Sequence, residues 1–293
     1  MSELPKISLD KIRQSLLKDV LEELERHLRD LDLDCYLIGA LARDIWMTGV
    51  HDIQQKRATK DVDLAVLIPT KERYLQLKDR LIGNGHFKEV RDNPFKLIHS
   101  GKTEIDVLPF GGLDREGNVL LAGAGFTSLT IEGFSEVFES ATVPIELSGH
   151  QFRVCTLPGI VILKLIAYDD RPDMRTKDVQ DIVAIIENYF NIESVDLCSK
   201  HFDLLQKVDS EFDTFCIGAH LLGRHMKPIL SRSEMLNTRI TKILQSVIES
   251  QQDSKLAVLM IREMIGSVEQ AVTILKELLA GINDKPIDLR GNP

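Results

Sequence analysis

At residues 61–69 the chain reads "DVDLAVLIP", an apolar strand that opens on two carboxylates and is stopped by Pro69. Side chains alternate along a strand, so Val62, Leu64, Val66 and Ile68 share one face while Asp61, Asp63, Ala65 and Leu67 share the other. Charge at the head of such a strand is costly to bury unless something offsets it. Whatever the chain folds into must bring a compensating charge to this point.

The surrounding chain reads as alternating strands and helices, then as paired strands. Ser8 can cap an amphipathic helix of about six turns carrying Leu9, Ile12, Leu16, Val20, Leu24, Leu28 and Leu31. "CYLIG" is a short strand ending at Gly39, with a tight turn into a helix around Ala42–Met47, and residues 49–59 are polar and expected to be loop. A helix over 71–82 follows, then "FKLIHS" and "TEIDVLPF" pair as a hairpin about Gly101-Lys102. "VPIEL" and "FRVCTL" form a second hairpin. From Thr156, with Pro158 just inside the first turn, the sequence is almost wholly helical to about Gly281. The expected organisation is α+β: a mixed sheet flanked by helices over 1–155, a helical bundle over 156–283 and a flexible tail over 284–293.

Composition narrows the function classes. With 293 residues, 43% of them hydrophobic and 28% charged, the chain is long enough for an enzyme core. A net charge of −9 argues against indiscriminate nucleic-acid binding, although a local basic groove is compatible with it. Cys35, Cys155, Cys198 and Cys216 stand far apart, the pattern of reduced, mostly buried thiols and not of a disulfide or zinc framework. That pattern, with no signal peptide and no apolar run near the ~18 residues of a membrane span, leads to an expectation of a cytoplasmic protein without membrane association.

A third acid, Asp106, lies between Ile105 and Val107 in another apolar strand. If that strand neighbours the first, three carboxylates converge, and two like charges at about 4 Å repel by roughly 4 kcal/mol at an effective dielectric near 20. Such a cluster recruits a cation, and hard oxygen donors suit Mg²⁺, with Mn²⁺ as the alternative. A lone D-x-D more often decorates a strand end in solvent; here Gly39-Ala40 lies upstream, a small-residue turn whose backbone N–H groups suit phosphate. Arg43, Arg57 and Lys60 stand close enough in sequence to reach phosphate, Asp44 reads as structural, and Glu104 is a rival to Asp106 with more polar flanks. In "VILKLIAY", Lys164 is a single cation in an apolar helix, which either snorkels to solvent or points into a charged cleft. Asp178 and Asp181 are three apart on a helix face, with a solvated salt-bridge face as the plain reading.

"GALARD", "RATKDVDLAV", "EIDVLP" and "LKLIAYDDRPDMRTKDVQDI", in that order, resemble the nucleotidyltransferases of the DNA polymerase β-like superfamily, and within them the AbiEii toxins. The resemblance covers roughly residues 30–190. It implies a nucleotidyltransferase sheet in which Asp61, Asp63 and Asp106 bind metal, with Asp106 completing the site or acting as base. It implies that Lys164 contacts the nucleotide phosphates and that Asp178 is a functional acid; Gly39, Ala40, Arg43 and Lys60 are nucleotide candidates from their own positions, Arg43 and Lys60 each with a surface or structural charge as the plainer reading. Lys164→Ala is accordingly expected to weaken NTP binding with little loss of stability. The implied reaction moves a nucleoside monophosphate from an NTP to an acceptor hydroxyl, with RNA, in particular a tRNA 3′ end, as leading acceptor, a small molecule or protein as others, and an antitoxin as partner. Two departures stand out: Ala40 replaces the serine often found after the turn glycine, and residues 49–59 lengthen the path to Asp61. CCA-adding enzymes and poly(A) polymerases look similar at "YLIGALARD" and "KDVDLA", but their "RRDFT"-type segment is absent. Antibiotic nucleotidyltransferases share the metal acids. A catalytically inactive nucleotide-binding or interaction module is the alternative of another class.

His220 and His225 are five apart, not the spacing of a helical metal pair, and read as structural. His86, His99 and His150 fall in or beside turns and strands without a partner motif, and Trp46 reads as core.

Overall fold

The computed structural model describes residues 4–54, 59, 61–112, 118–121, 128–206, 210–264 and 266–284. The chain divides into two compact units, Met1–Leu163 and Lys164–Pro293. The division falls inside a helix and not at the change of character near residue 155.

The first unit is built on strands β1 (Lys6–Ile7), β2 (Cys35–Ile38), β3 (Val62–Ile68), β4 (Phe87–Val90), β5 (Asn93–His99), β6 (Thr103–Gly111), β7 (Asn118–Leu120), β8 (Ser128–Thr130), β9 (Thr142–Leu147) and β10 (His150–Cys155). All but β7 and β8, which pair with each other, form an eight-stranded sheet in the order β1-β9-β10-β2-β3-β6-β5-β4. It is mixed: β3 runs parallel to β6 and antiparallel to β2, and β5 returns antiparallel to β6. Helices α1 (Lys18–Asp30) and α3 (Lys71–Gly83) cover the face that carries Leu64, Val107 and Leu97, all fully buried. Tyr74 of α3 reaches through to donate its hydroxyl to the Val107 carbonyl at 3.0 Å. On the opposite face α4 (Phe134–Ser140) packs Phe134 and Phe138 around Tyr36 and Phe110, and the rest of that face holds the acids.

The short helix α2 (Gly39–Asp44) follows β2 directly and widens into a π-helical turn over Ile45–Val50, so helix extends past the expected Met47. Trp46, on that turn, donates its indole N–H to the Cys155 carbonyl at 2.7 Å. The expected helix from Ser8 begins only at Lys18. Arg13 takes a left-handed φ of 58°, and Gln14 is pulled aside to donate to the Thr59 carbonyl at 2.6 Å, so the earlier residues form turns and a short 3₁₀ segment over Ser15–Leu17. Leu9 and Ile12 are buried without being helical, while Leu16, on the expected apolar stripe, is 85% exposed.

Helix α5 (Leu157–Asp170) passes into the second unit, which continues through α6 (Thr176–Ile192), α7 (Ser194–Lys200), α8 (Glu211–Leu230), α9 (Glu234–Ser250), α10 (Lys255–Glu263) and α11 (Val268–Asn283). Serines cap four of these helices: Ser210, Ser233, Ser254 and Ser267 each accept from a backbone N–H of the first turn. Helices α8 and α11 approach backbone to backbone, since a Cβ on Gly281 would lie 2.0 Å from the His220 carbonyl oxygen. Of the expected tail, residues 285–293 lie outside the described residues, while Asp284 is tied down by Arg224 and by His220 at 2.9 Å.

Candidate active site

Register places the acids. Asp63 on β3 pairs with Ile38 on one side and, across the parallel ladder, with Asp106 on β6. Paired residues of neighbouring strands point to the same face, so the two carboxylates project together. Asp61, two residues earlier, is exposed at the entrance to the same strand, and Thr59 Oγ1 accepts its backbone N–H at 3.4 Å.

Gly39 closes the other side. It is the first residue after β2, its φ is +65°, and a Cβ built on it would sit 2.0 Å from Asp63 Oδ2. The turn therefore needs glycine twice, once for the backbone conformation and once because the Asp63 carboxylate occupies the space of a side chain. Ala40 follows, with its methyl group buried.

Lys96, unremarked in the sequence, joins the cluster. It stands opposite Asp106 on β5, its Nζ 3.9 Å from Asp106 Oδ1 and bonded to Glu104. Burial alone would push its ammonium pKa down, but the bond to Glu104 and the charges of Asp106, Glu104 and Asp61 outweigh burial and raise it. Its position was readable in principle. The three-residue turn about Gly101 fixes the hairpin register, and that register pairs Lys96 with Asp106. Glu104 is about half exposed and serves Lys96, which leaves Asp106 as the acid aligned with Asp63.

Of the expected phosphate cations, Arg43 is 2% exposed and holds its neighbour Asp44, with Nε 2.9 Å from Oδ1. Its guanidinium lies inside the fold. Arg57 and Lys60 lie outside the described residues.

In the second unit, Lys164 of α5 lies between two acids of α6, its Nζ 2.7 Å from both Asp178 Oδ1 and Asp181 Oδ2. All three side chains are buried, so the solvated face expected for Asp181 is instead an internal ion cluster. Burial pushes the Lys164 ammonium down, while the two carboxylates, by charge and by hydrogen bonding, more than offset it and hold it above its ordinary value. A lysine bonded to two buried acids, one of them also 3.7 Å from Arg175 Nη1, is a structural tie as well as a charge, which argues against the expectation of little loss of stability on its removal.

A family model described as "Nucleotidyl transferase AbiEii toxin, Type IV TA system" matches residues 24–266. By class the chain is a nucleotidyltransferase. It belongs to the AbiEii family. A sequence search of the curated proteins finds no match. Among solved structures, an antigenic nucleotidyltransferase-like protein from Paracoccidioides brasiliensis is similar with a TM-score of 0.39 and 18% identity, covering 68% of this chain and 92% of that one. The antibiotic-resistance factor ANT(2″)-Ia, in complex with adenylyl-2″-tobramycin, is similar with a TM-score of 0.35 and 15% identity over 73% of this chain and 97% of that one. The Thermotoga maritima CCA-adding enzyme complexed with tRNA has a TM-score of 0.33 and 9% identity, covering 96% of this chain and 85% of that one.

Proposed function

We propose that the chain transfers a nucleoside monophosphate from an NTP to an acceptor hydroxyl, releasing pyrophosphate, with Asp61, Asp63 and Asp106 as the residues that hold a divalent ion, Mg²⁺ or Mn²⁺. The observation that carries this reading is the pairing of Asp63 with Asp106 in register, with Gly39 cut away to admit the Asp63 carboxylate. Asp63 and Asp106 offer hard oxygen donors on one sheet face, with Asp61 at the strand entrance able to join them, and Lys96 offsets part of the repulsion. When bound, the ion neutralises phosphate charge and favours ionisation of the acceptor hydroxyl.

The chain's own residues supply the rest. Backbone N–H groups at Gly39 and Ala40 receive phosphate oxygens, and Asp106 takes the acceptor's proton as its oxygen bonds to the α-phosphorus. The bond from that phosphorus to the bridging oxygen breaks, and pyrophosphate carries the electron pair away. Lys164 and Asp178 are assigned to the nucleotide on the family resemblance, and Lys60 on its place beside Asp61. Arg43, buried within α2 and bound to Asp44, is left to the structure of that helix and not to the nucleotide. On the same resemblance the acceptor is an RNA 3′ hydroxyl, in the first instance that of tRNA, and the toxin family implies a cognate antitoxin as partner.

The test is transfer of label from each α-labelled NTP to total RNA, tRNA, protein and small-molecule hydroxyls by the full chain, beside Asp63→Asn plus Asp106→Asn. Label in RNA from the native protein alone supports the reading. No label in any acceptor with Mg²⁺ or Mn²⁺, together with no NTP-dependent thermal shift, overturns it.

A further inference from the structure

Away from the carboxylates, two groups of described residues bring one acid and two imidazoles within ligand distance of a common point: Asp196, His201 and His225, and Glu23, His86 and His99. The first is already committed elsewhere. Arg224 Nη1 lies 3.1 Å from His201 Nδ1, and because a guanidinium only donates, that nitrogen accepts. His201 therefore carries its proton on Nε2, the atom 3.5 Å from Asp196 Oδ2, and a metal could replace that proton only if the bond to Arg224 broke and freed Nδ1 to take it. Lys200 also holds Asp196, at 2.6 Å.

The second group is arranged differently. Glu23 comes from α1, His86 from the turn between α3 and β4, and His99 from the end of β5. Glu23 Oε1 is 2.6 Å from His86 Nδ1 and 3.4 Å from His99 Nε2, and the three ligand atoms lie within 4.8 Å of one another. Asn84 fixes two of them, donating to Glu23 Oε2 at 2.7 Å while its Oδ1 accepts the His86 backbone N–H at 2.8 Å. The Phe87 ring packs against His99 with centroids 4.8 Å apart.

We propose that Glu23, His86 and His99 bind a divalent transition ion of the zinc class, with a fourth position left to water, as a clip joining α1 and the α3–β4 turn to β5. Two imidazole nitrogens and one carboxylate oxygen, one ligand oriented by a hydrogen-bonding neighbour, form a donor set of this ion. A tetrahedral centre with bonds of about 2.0–2.1 Å spaces its ligand atoms about 3.3 Å apart. The Glu23–His86 pair must therefore open slightly, and the His86 side chain, 59% exposed, has the room. The site does not belong to the transfer chemistry. Lys96 and Asp106 share one face of the sheet, and His99, three residues along β5, points to the other.

The experiment uses the full chain, freed of metal by chelator and returned to Mg²⁺-containing buffer so that hard-oxygen sites are filled, then titrated with Zn²⁺ by calorimetry and followed by thermal unfolding. The native protein is expected to bind one Zn²⁺ per chain and to melt roughly 5 °C higher at a hundredfold excess over Kd. His86→Ala, at an exposed position, should fold normally, lose that rise and bind at least about tenfold more weakly, and Asn84→Ala should weaken binding by about tenfold. Asp196→Asn should bind Zn²⁺ as the native chain does, and His86→Ala should keep native nucleotide transfer. Zn²⁺ binding that is absent from the native chain, unchanged in His86→Ala, or lost in Asp196→Asn would overturn the proposal.

Discussion

Lys96 stands opposite Asp106 across the β5–β6 hairpin with its ammonium 3.9 Å from the carboxylate, where a metal ion held by the proposed acid site would compete with it. Replacing it with methionine should therefore destabilise the protein more without Mg²⁺ than with it. The expected cost in metal-free buffer is about 0.5–1 kcal/mol, the scale of a partly screened pair, with most of it recovered on adding Mg²⁺. Thermal unfolding of both proteins in the two buffers measures this; an equal loss in each would place the ion elsewhere.

Gly39→Ala puts a methyl group 2.0 Å from Asp63 Oδ2 on a backbone with φ of +65°. The strained conformation should cost about 1–3 kcal/mol. The larger effect is on function, because Asp63 must move for the methyl to fit. Nucleotide transfer should fall at least about a hundredfold while circular dichroism stays native, and a variant that transfers normally would remove Asp63 from the proposed site.

Lys164→Met leaves Asp178 and Asp181 buried without the lysine, at an expected cost of about 3–5 kcal/mol by urea unfolding. Adding Asp178→Asn and Asp181→Asn should restore much of the loss. If the lysine also meets phosphate, the restored triple variant will fold yet bind NTP poorly, and native affinity in that variant would confine Lys164 to a structural role. The pairing raises the lysine's folded-state pKa, so its contribution is full below the unfolded value near 10.4 and disappears as pH rises through the higher folded value.

His225 behaves in the opposite sense. Burial depresses its pKa against the pull of Asp196, and Tyr189 Oη lies 2.7 Å from its Nδ1. The unfolded chain therefore takes up the proton first, and stability falls as pH drops below about 6.5. Melting temperatures between pH 7 and 5 should decline more steeply for the native protein than for His225→Gln. Parallel curves would assign the acid sensitivity to other groups.

Much of the first unit was legible because it depends on local pattern. Alternation in "DVDLAVLI" and "EIDVLP" announced β3 and β6, and both hairpins follow from their turns. What escaped depends on contacts made at a distance. The start of α1 was hidden because Gln14 is held by Thr59, and the Lys164 cluster because Asp181 looks on paper like any exposed helical acid. Glu23, His86 and His99 come from a helix, a turn and a strand, and no spacing rule joins them.

The bond from Trp46 to the Cys155 carbonyl has a practical consequence. The chain has a single tryptophan, so the tryptophan component of its fluorescence, excited at the red edge where tyrosine absorbs little, originates wholly from the π-helical turn that continues the Gly39 helix. An emission spectrum of the unmodified protein is thus a label-free optical readout of that turn, and stopped-flow mixing with nucleotide can time any rearrangement there.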